Sequence, residues 1–175
     1  MIVFRHADPR FPFLWESSEQ PPARWHGPGE GPTHYFSSTV DAAWAEFLRH
    51  EEITDPADLA GIERALWAVE LADPPAERAR LERRTMTGGP DTYEACRREA
   101  GRLREHGAAG FMAPSAAVDP ATGSGLRTDG GLRPARRRSE WVFVLFGPRP
   151  DLIGWAACAT GAPRPDLLRR VRPLG

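Results

Sequence analysis

The chain contains no lysine, and all 23 of its basic residues are arginine. This absence excludes enzymes that form a Schiff base through lysine, and it excludes the phosphate-binding loop whose motif ends in Lys-Ser or Lys-Thr. Alanine, glycine and proline are abundant, as is usual for proteins from GC-rich genomes. The missing lysine therefore limits the chemistry of the chain without assigning a function to it.

Cysteine and long apolar runs are also scarce. Cys96 and Cys158 are the only thiols, too few for the disulfide framework of a small secreted protein, and no Cys/His cluster has zinc-binding spacing. No apolar run approaches the roughly 20 residues that span a bilayer, and the N-terminus lacks an apolar leader. We therefore expect a reduced, cytoplasmic protein that has no metal site and does not contact a membrane.

The charge of the chain is close to neutral. Its 175 residues are 41% hydrophobic and 27% charged, with a formal net charge of −1. This length and composition are typical of one soluble globular domain. Near-neutrality gives no reason to expect nonspecific binding of nucleic acid, although Arg133 and the triple arginine at 136–138 form a local basic cluster.

Hydrophobic periodicity predicts five strands and three helices. The strands are expected at 1–5, 65–71, 109–113, 141–146 and 153–158, with the last two paired through the turn between them. The helices are expected at 40–48, 76–84 and 93–106.

Three other stretches complete the predicted organisation. Two short β-type runs at 24–26 and 33–37 flank a Gly/Pro turn and predict a loose hairpin. Residues 119–138 are rich in glycine and arginine and predict a long loop, with a composition compatible with disorder. The order of elements predicts one α+β domain over 1–175, with a mixed, largely antiparallel sheet flanked by helices.

Five residues are candidates for a functional site. Arg24, Tyr35 and Glu46 follow one another at intervals of 11 residues around the turn and the first helix. Glu46 lies off the apolar stripe of that helix, Ser115 follows a predicted strand, and Arg5 ends the first strand. Taken alone, each has an ordinary alternative, because most glutamates and arginines are solvated and serine often begins a turn.

Taken in order, these residues resemble the RES-domain family, which is named for an arginine, a glutamate and a serine. The resemblance rests on Arg24 in AlaArgTrpHis, Tyr35 in HisTyrPheSerSer, Glu46 in AlaAlaTrpAlaGlu and Ser115 in AlaProSerAlaAla, and on Arg5 in the first strand. Family members often have Gly before and Asn after the Arg-Trp pair, whereas this chain has Ala23 and His26.

The resemblance implies an ADP-ribosyltransferase-like fold and a bacterial toxin that is inhibited by an Xre-like antitoxin protein. It implies an enzyme that uses NAD⁺ as a substrate and needs no other cofactor, cleaving the nicotinamide–ribose bond by hydrolysis or, with inorganic phosphate, by phosphorolysis. Glu46 would stabilise the oxocarbenium-like ribose, and Arg24 and Arg5 would hold the pyrophosphate or an incoming phosphate. Tyr35 would orient the nicotinamide end, and Ser115 would hydrogen-bond the dinucleotide.

Two other functions remain open at this point. The same site could transfer ADP-ribose from NAD⁺ to a protein. The chain could also be a catalytically inactive module that binds a partner or nucleic acid through its arginine-rich loop, and the near-neutral charge makes nucleic-acid binding the less favoured form of this interpretation.

Overall fold

The structure, a computed structural model, describes residues 1–119, 123 and 125–174 of the chain. Its strands are β1 (Ile2–Ala7), β2 (Thr33–Ser37), β3 (Arg64–Glu70), β4 (Gly110–Pro114), β5 (Leu126–Thr128), β6 (Leu132–Pro134), β7 (Trp141–Phe146) and β8 (Ile153–Gly161). Its α-helices are α1 (Val40–His50), α2 (Arg83–Thr87) and α3 (Tyr93–Glu105), and 3-10 turns occupy Pro56–Gly61, Pro90–Thr92 and Pro165–Arg170. Within these residues, no helix is long and apolar enough to cross a membrane.

Six strands form one sheet in the order β4-β7-β2-β1-β3-β8, and β5 and β6 form a separate hairpin. Every pairing in the six-stranded sheet is antiparallel. The strand next to the centre, β7, is a continuous apolar run, as expected for a strand buried on both faces. The predicted α+β domain with a largely antiparallel sheet is therefore confirmed.

Helices α1 and α3 cover one face of the sheet, which we call the helix face. Helix α1 begins where Thr39 Oγ1 accepts a hydrogen bond from Ala42 N at 3.1 Å, and it packs Trp44, Phe47 and Leu48 against Leu66 of β3. Helix α3 packs its buried residues Cys96, Ala100 and Leu103 against Phe111, Val142 and Val144 of the sheet.

The opposite face, which we call the loop face, is covered by part of the loop that follows β1. Val3, Phe36, Phe143 and Leu145 point to this side and pack with Phe13 and Leu14. Because neighbouring residues of a strand point to opposite faces, Phe4 lies on the helix face and Arg5 on the loop face. This alternation decides which candidate residues can meet.

Two predicted strand pairings are wrong. Residues 24–26 do not pair with β2; Ala23 N instead donates to His26 O at 3.0 Å, and β2 lies inside the sheet with β1 and β7 on its two edges. Likewise β7 does not pair with β8, because β2 and β4 occupy both edges of β7 and β8 pairs with β3. In both cases a strand distant in sequence takes the position expected for the neighbour.

Two further predictions need correction. The helix expected over 76–84 is largely extended, because Ala79 N donates to Met112 O at 3.1 Å and Met112 N donates to Glu77 O at 2.8 Å, and a helix begins only at Arg83. The loop expected over 119–138 contains the β5–β6 hairpin. Its residues 120–122 and 124 lie outside the described residues. The other predicted helices and strands are confirmed to within two residues at each end, except that β8 continues three residues past its expected end, to Gly161.

Candidate active site

Ser115 and Glu46 meet where β4 ends against α1. Ser115 Oγ donates a hydrogen bond to Glu46 Oε1 at 2.7 Å and accepts one from Ala117 N at 3.2 Å. The backbone fixes the serine as well, because Ser115 N donates to Glu140 O at 3.0 Å. Only 2% of Ser115 is exposed, whereas Glu46 is partly exposed. The buried hydroxyl of Ser115 thus orients the partly exposed carboxylate of Glu46.

Two buried arginines share one backbone acceptor beside this pair. Arg24 Nη2 and Arg49 Nη2 each donate to Gly88 O at 2.8 Å. Arg24 is 8% exposed and Arg49 is 5% exposed. Arg49 lies three residues after Glu46 in α1, hence on nearly the same side of the helix. The Arg24 and Glu46 segments are thereby joined through the Gly88 loop.

The start of α3 positions the guanidinium of Arg24. The carbon Cζ of Arg24 lies 4.5 Å from the centre of the Tyr93 ring, a distance typical of a cation–π contact. Arg24 Nη1 also donates to Thr92 Oγ1 at 3.3 Å. These contacts hold the guanidinium over the Tyr93 ring while Gly88 O accepts a hydrogen bond from Nη2.

The site concentrates positive charge. Within the described part of the chain neither Arg24 nor Arg49 forms an ion pair, and their acceptors are neutral. Burial lowers the pKa of Arg49, and the positive charge of Arg24 lowers it further, while the negative charge of Glu46 acts in the opposite direction. An anionic ligand would be stabilised here by two fixed cations.

The hydroxyl of Tyr35 is used within the fold. Tyr35 Oη accepts from Trp25 N at 3.2 Å and lies 2.9 Å from His26 Nδ1. Because the carbonyl of Pro21 can only accept, His26 Nε2 donates to it at 2.9 Å, and Nδ1 then accepts the proton of Tyr35 Oη. Burial raises the pKa of Tyr35 and lowers that of His26, so both are neutral in this network.

Tyr35 therefore anchors the stretch that carries Arg24, and its hydroxyl makes no hydrogen bond to Glu46 or Ser115. His26 is the second half of this anchor. The role of His26 could not be predicted from local pattern, because its partners Pro21 and Tyr35 flank a turn whose shape the sequence does not specify.

Arg5 lies apart from the other candidates. Its Cζ is 5.9 Å from the centre of the Phe36 ring on the loop face, whereas Glu46 belongs to a helix on the helix face. Among the described residues Arg5 Nη1 is buried without a hydrogen-bond partner, and burial lowers the pKa of Arg5 to about 10. The structure thus brings together Ser115, Glu46 and Arg24, with Arg49 as an addition, but not Arg5.

Arg49 was missed from the sequence because a basic residue in the last turn of a helix is ordinary. A signal was available, since residues three apart in a helix share a side and Glu46 was already a candidate. As for metals, no group of three or more His, Cys, Asp or Glu side chains that could hold an ion occurs among residues 1–119, 123 and 125–174.

Comparisons with known proteins place this geometry in a family. The chain matches a solved structure described as the crystal structure of the M. tuberculosis MbcT–MbcA toxin–antitoxin complex, with a TM-score of 0.63 and 14% sequence identity. The match covers 96% of this chain and 86% of the other, and at this identity it shows the fold alone. No curated protein matches the chain at sequence level. The RES-domain model matches residues 2–154, and the chain therefore belongs to the RES-domain family.

Proposed function

We propose that the protein cleaves the nicotinamide–ribose bond of NAD⁺. The observation that carries the proposal is the carboxylate of Glu46, held at 2.7 Å by the Ser115 hydroxyl beside the buried guanidinium groups of Arg24 and Arg49. A fixed carboxylate next to fixed cations suits a substrate that joins a ribose, on which positive charge develops, to a diphosphate.

The chemistry requires little from the protein apart from charge placement. The bond between ribose C1′ and the pyridinium nitrogen breaks, its electron pair leaves with nicotinamide, and the ribose becomes oxocarbenium-like, as in glycoside cleavage. Glu46 stabilises this cation, and no general acid is needed because the leaving group is neutral once expelled. Water then bonds to C1′ and loses a proton to solvent, giving ADP-ribose, while inorganic phosphate gives ADP-ribose 1-phosphate.

The other candidate residues take supporting roles. Ser115 keeps the carboxylate of Glu46 in one orientation and Arg24 binds a phosphate of the substrate. Tyr35 keeps Arg24 in place through the Trp25–His26 backbone and ring contacts, and this indirect role replaces the nicotinamide contact expected from the sequence. Arg5 has no role in this scheme, since it lies on the loop face.

We also propose that the protein is the toxin of a toxin–antitoxin pair and binds an antitoxin. Membership of the RES family and the likeness to a chain of a toxin–antitoxin complex support this role. Consumption of NAD⁺ would account for toxicity. Expression of the chain in bacteria should lower cellular NAD⁺ and arrest growth, whereas the Glu46→Gln variant should do neither.

The direct test incubates the purified protein with NAD⁺, with and without phosphate, and measures nicotinamide release. We expect release, and the nature of the second product separates hydrolysis from phosphorolysis. Glu46→Gln should lower turnover roughly 10²–10³-fold, the range seen when one charge-stabilising group is removed. Glu51→Gln, at the exposed end of the same helix, is the matched control.

Three results would contradict the proposal or redirect it. No release at high enzyme concentration would overturn cleavage altogether. Turnover retained in Glu46→Gln would remove Glu46 from the mechanism. Label from NAD⁺ appearing on a protein, in place of free ADP-ribose, would identify a protein ADP-ribosyltransferase that uses the same residues.

A further inference from the structure

All hydrogen-bond acceptors of Arg49 in the described residues are backbone carbonyls. Two lie at the end of α2, where Arg49 Nη2 is 3.3 Å from Thr87 O, the last residue of the helix, and 2.8 Å from Gly88 O, the residue after it. The other two belong to the segment after the last 3-10 turn, where Nε lies 3.2 Å from Pro173 O and Nη2 lies 3.5 Å from Leu174 O. A buried guanidinium thus has only neutral partners, although Arg24 lies next to it.

The segment 171–174 runs alongside the residues that follow Ser115. Val171 forms an antiparallel bridge with Val118, and Arg172 N donates to Ala117 O at 2.7 Å. The side chain of Arg172 fastens the segment, with Nη1 3.4 Å from Ala116 O and Nη2 3.2 Å from Val118 O and 3.1 Å from Asp119 Oδ1. The segment therefore enters the site from the Ser115 side and ends on Arg49.

Backbone carbonyls are weaker partners for guanidinium than phosphate oxygens are. A phosphate oxygen carries a negative charge and a carbonyl oxygen only a partial one, so the guanidinium attracts phosphate more strongly, and its planar group matches two phosphate oxygens at once. A diphosphate carries two negative charges, which equals the charge that Arg24 and Arg49 place around Gly88 O. It would therefore gain more from Arg49 than the carbonyls of Pro173 and Leu174 do.

We propose that Arg49 binds the diphosphate of the substrate together with Arg24, and that the carbonyls of Pro173 and Leu174 compete with the diphosphate for Arg49. Arg49 then holds the second phosphate position, the role that the family resemblance implies for Arg5. The segment 171–174 lowers the affinity for any ligand that carries a diphosphate and must move when such a ligand binds. The inference rests on the proposed function, because a dinucleotide is the ligand that the Glu46 chemistry requires.

The segment is also separate from the part of the chain that defines the family, since the family match ends at residue 154. Glu46, Ser115 and Arg24 all lie inside the matched range, so the segment 171–174 can be altered without changing any of these three residues.

The test measures binding of ADP-ribose, which carries the diphosphate, and of adenosine, which lacks it, by calorimetry on the full chain. Arg49→Gln should weaken ADP-ribose binding about 10- to 100-fold, as expected for the loss of charge-assisted hydrogen bonds, and should leave adenosine binding unchanged. Arg172→Ala, which releases the segment, should tighten ADP-ribose binding about 3- to 10-fold, because the carbonyls of Pro173 and Leu174 would compete less for Arg49. Arg83→Gln, an exposed arginine of α2, is the matched control and should change neither affinity.

The two arms fail independently. Unchanged affinity for ADP-ribose in a folded Arg49→Gln protein would overturn the role of Arg49, and so would a wild-type protein that does not bind ADP-ribose. If Arg49→Gln does not fold, Arg49→Lys serves in its place, because lysine keeps the positive charge but lacks the planar guanidinium. Binding of ADP-ribose by Arg49→Lys as tight as by the wild type would overturn the bidentate contact between Arg49 and the diphosphate. Unchanged affinity in Arg172→Ala would overturn the competition.

Failure of the proposed function gives a different pattern. A wild-type protein that binds ADP-ribose through Arg49 but releases no nicotinamide from NAD⁺ would leave the inference standing and remove the enzyme. Release of nicotinamide with normal ADP-ribose affinity in Arg49→Gln would do the reverse.

Discussion

Ser115 Oγ and Glu46 Oε1 lie 2.7 Å apart although 69 residues separate them in sequence. Ser115→Ala removes this hydrogen bond and leaves the carboxylate free to rotate. A hydrogen bond to a charged group is worth about 1.5–3 kcal/mol. NAD⁺ cleavage should fall by roughly 10- to 100-fold, because the transition state loses this free energy of orientation of the carboxylate. Steady-state kinetics with Ser115→Ala, and with the exposed Ser18→Ala as control, would measure this.

The Ser115→Ala change should lower kcat more than it changes KM, because the serine acts on the carboxylate of Glu46 and not on the bound phosphates. Stability should also fall by about 1 kcal/mol, since Ala117 N loses its acceptor. A Ser115→Ala protein with full activity would mean that Glu46 needs no orienting partner.

Tyr35→Phe tests whether the tyrosine acts in the fold or on the substrate. Removing the hydroxyl leaves Trp25 N and His26 Nδ1 without their partner, which should cost about 1–3 kcal/mol in the free energy of unfolding. Denaturant titration would measure it, with Tyr93→Phe as the control, since the ring of Tyr93 and not its hydroxyl contacts Arg24. A loss of activity without a loss of stability would instead favour direct contact between Tyr35 and nicotinamide.

His6 should make the protein lose stability in mild acid. Its ring lies on the helix face, 5.0 Å from the ring of Phe47, and Arg64 Nη2 donates to its Nδ1 at 3.3 Å. Burial, followed by the positive charges of Arg64, Arg5 and His50, lowers its pKa from 6.5 to about 3. Between about pH 6.5 and pH 3, His6 therefore binds a proton in the unfolded chain but not in the folded chain.

The stability that depends on neutral His6 is therefore present above pH 6.5. It is lost as the pH falls from about 6.5 towards 3, by up to about 1.4 kcal/mol per pH unit. His6→Gln should flatten the stability profile over this range, because glutamine does not titrate. His106→Gln, at an exposed position and not among the charges that act on His6, should keep the wild-type slope. An unchanged slope in His6→Gln would assign the acid sensitivity to other groups, of which His26 and His34 also have lowered pKa values.

A variant of the triple arginine tests whether the chain is instead a nucleic-acid-binding module. Arg136, Arg137 and Arg138 are exposed, so changing all three to glutamine should alter the free energy of unfolding by less than about 0.5 kcal/mol each. We expect NAD⁺ cleavage to be retained in the triple variant. Tight, strongly salt-dependent binding of DNA or RNA by the wild type that disappears in the variant would favour the binding module.

Local patterns predicted most elements of this fold but not their partners. The apolar run of β7 and the amphipathic spacing in α1 and α3 are properties of short windows, and all three elements formed as expected. The pairings of β2 and β8 depend on strands far away in sequence, so the nearest run was chosen wrongly in both cases. Residues 77–79 have helix-forming composition, yet contacts with Met112 outweigh that weak preference.

The candidate site was predicted in part for the same reason. Ser115 and Glu46 were chosen from a family resemblance and from their places at a strand end and off an apolar stripe, and the structure brings them into contact. Arg5 was expected beside them from the resemblance and from its place at the end of a strand. Strand alternation separates Arg5 from Phe4 but does not say which of the two faces α1 will cover. Burial of Arg49 depends on the loop after α2 and on residues 173–174, which no local pattern connects with it.

Gly88 links the two buried arginines through a single oxygen atom, and its neighbours leave no room for a side chain. A Cβ at this position would lie 2.6 Å from Thr92 Cγ2 and 3.0 Å from Arg84 O. Any substitution would displace the loop and withdraw the carbonyl from Arg24 and Arg49 together. In a screen for loss of toxicity, one base change at codon 88 should therefore reproduce the phenotype of a double arginine mutant.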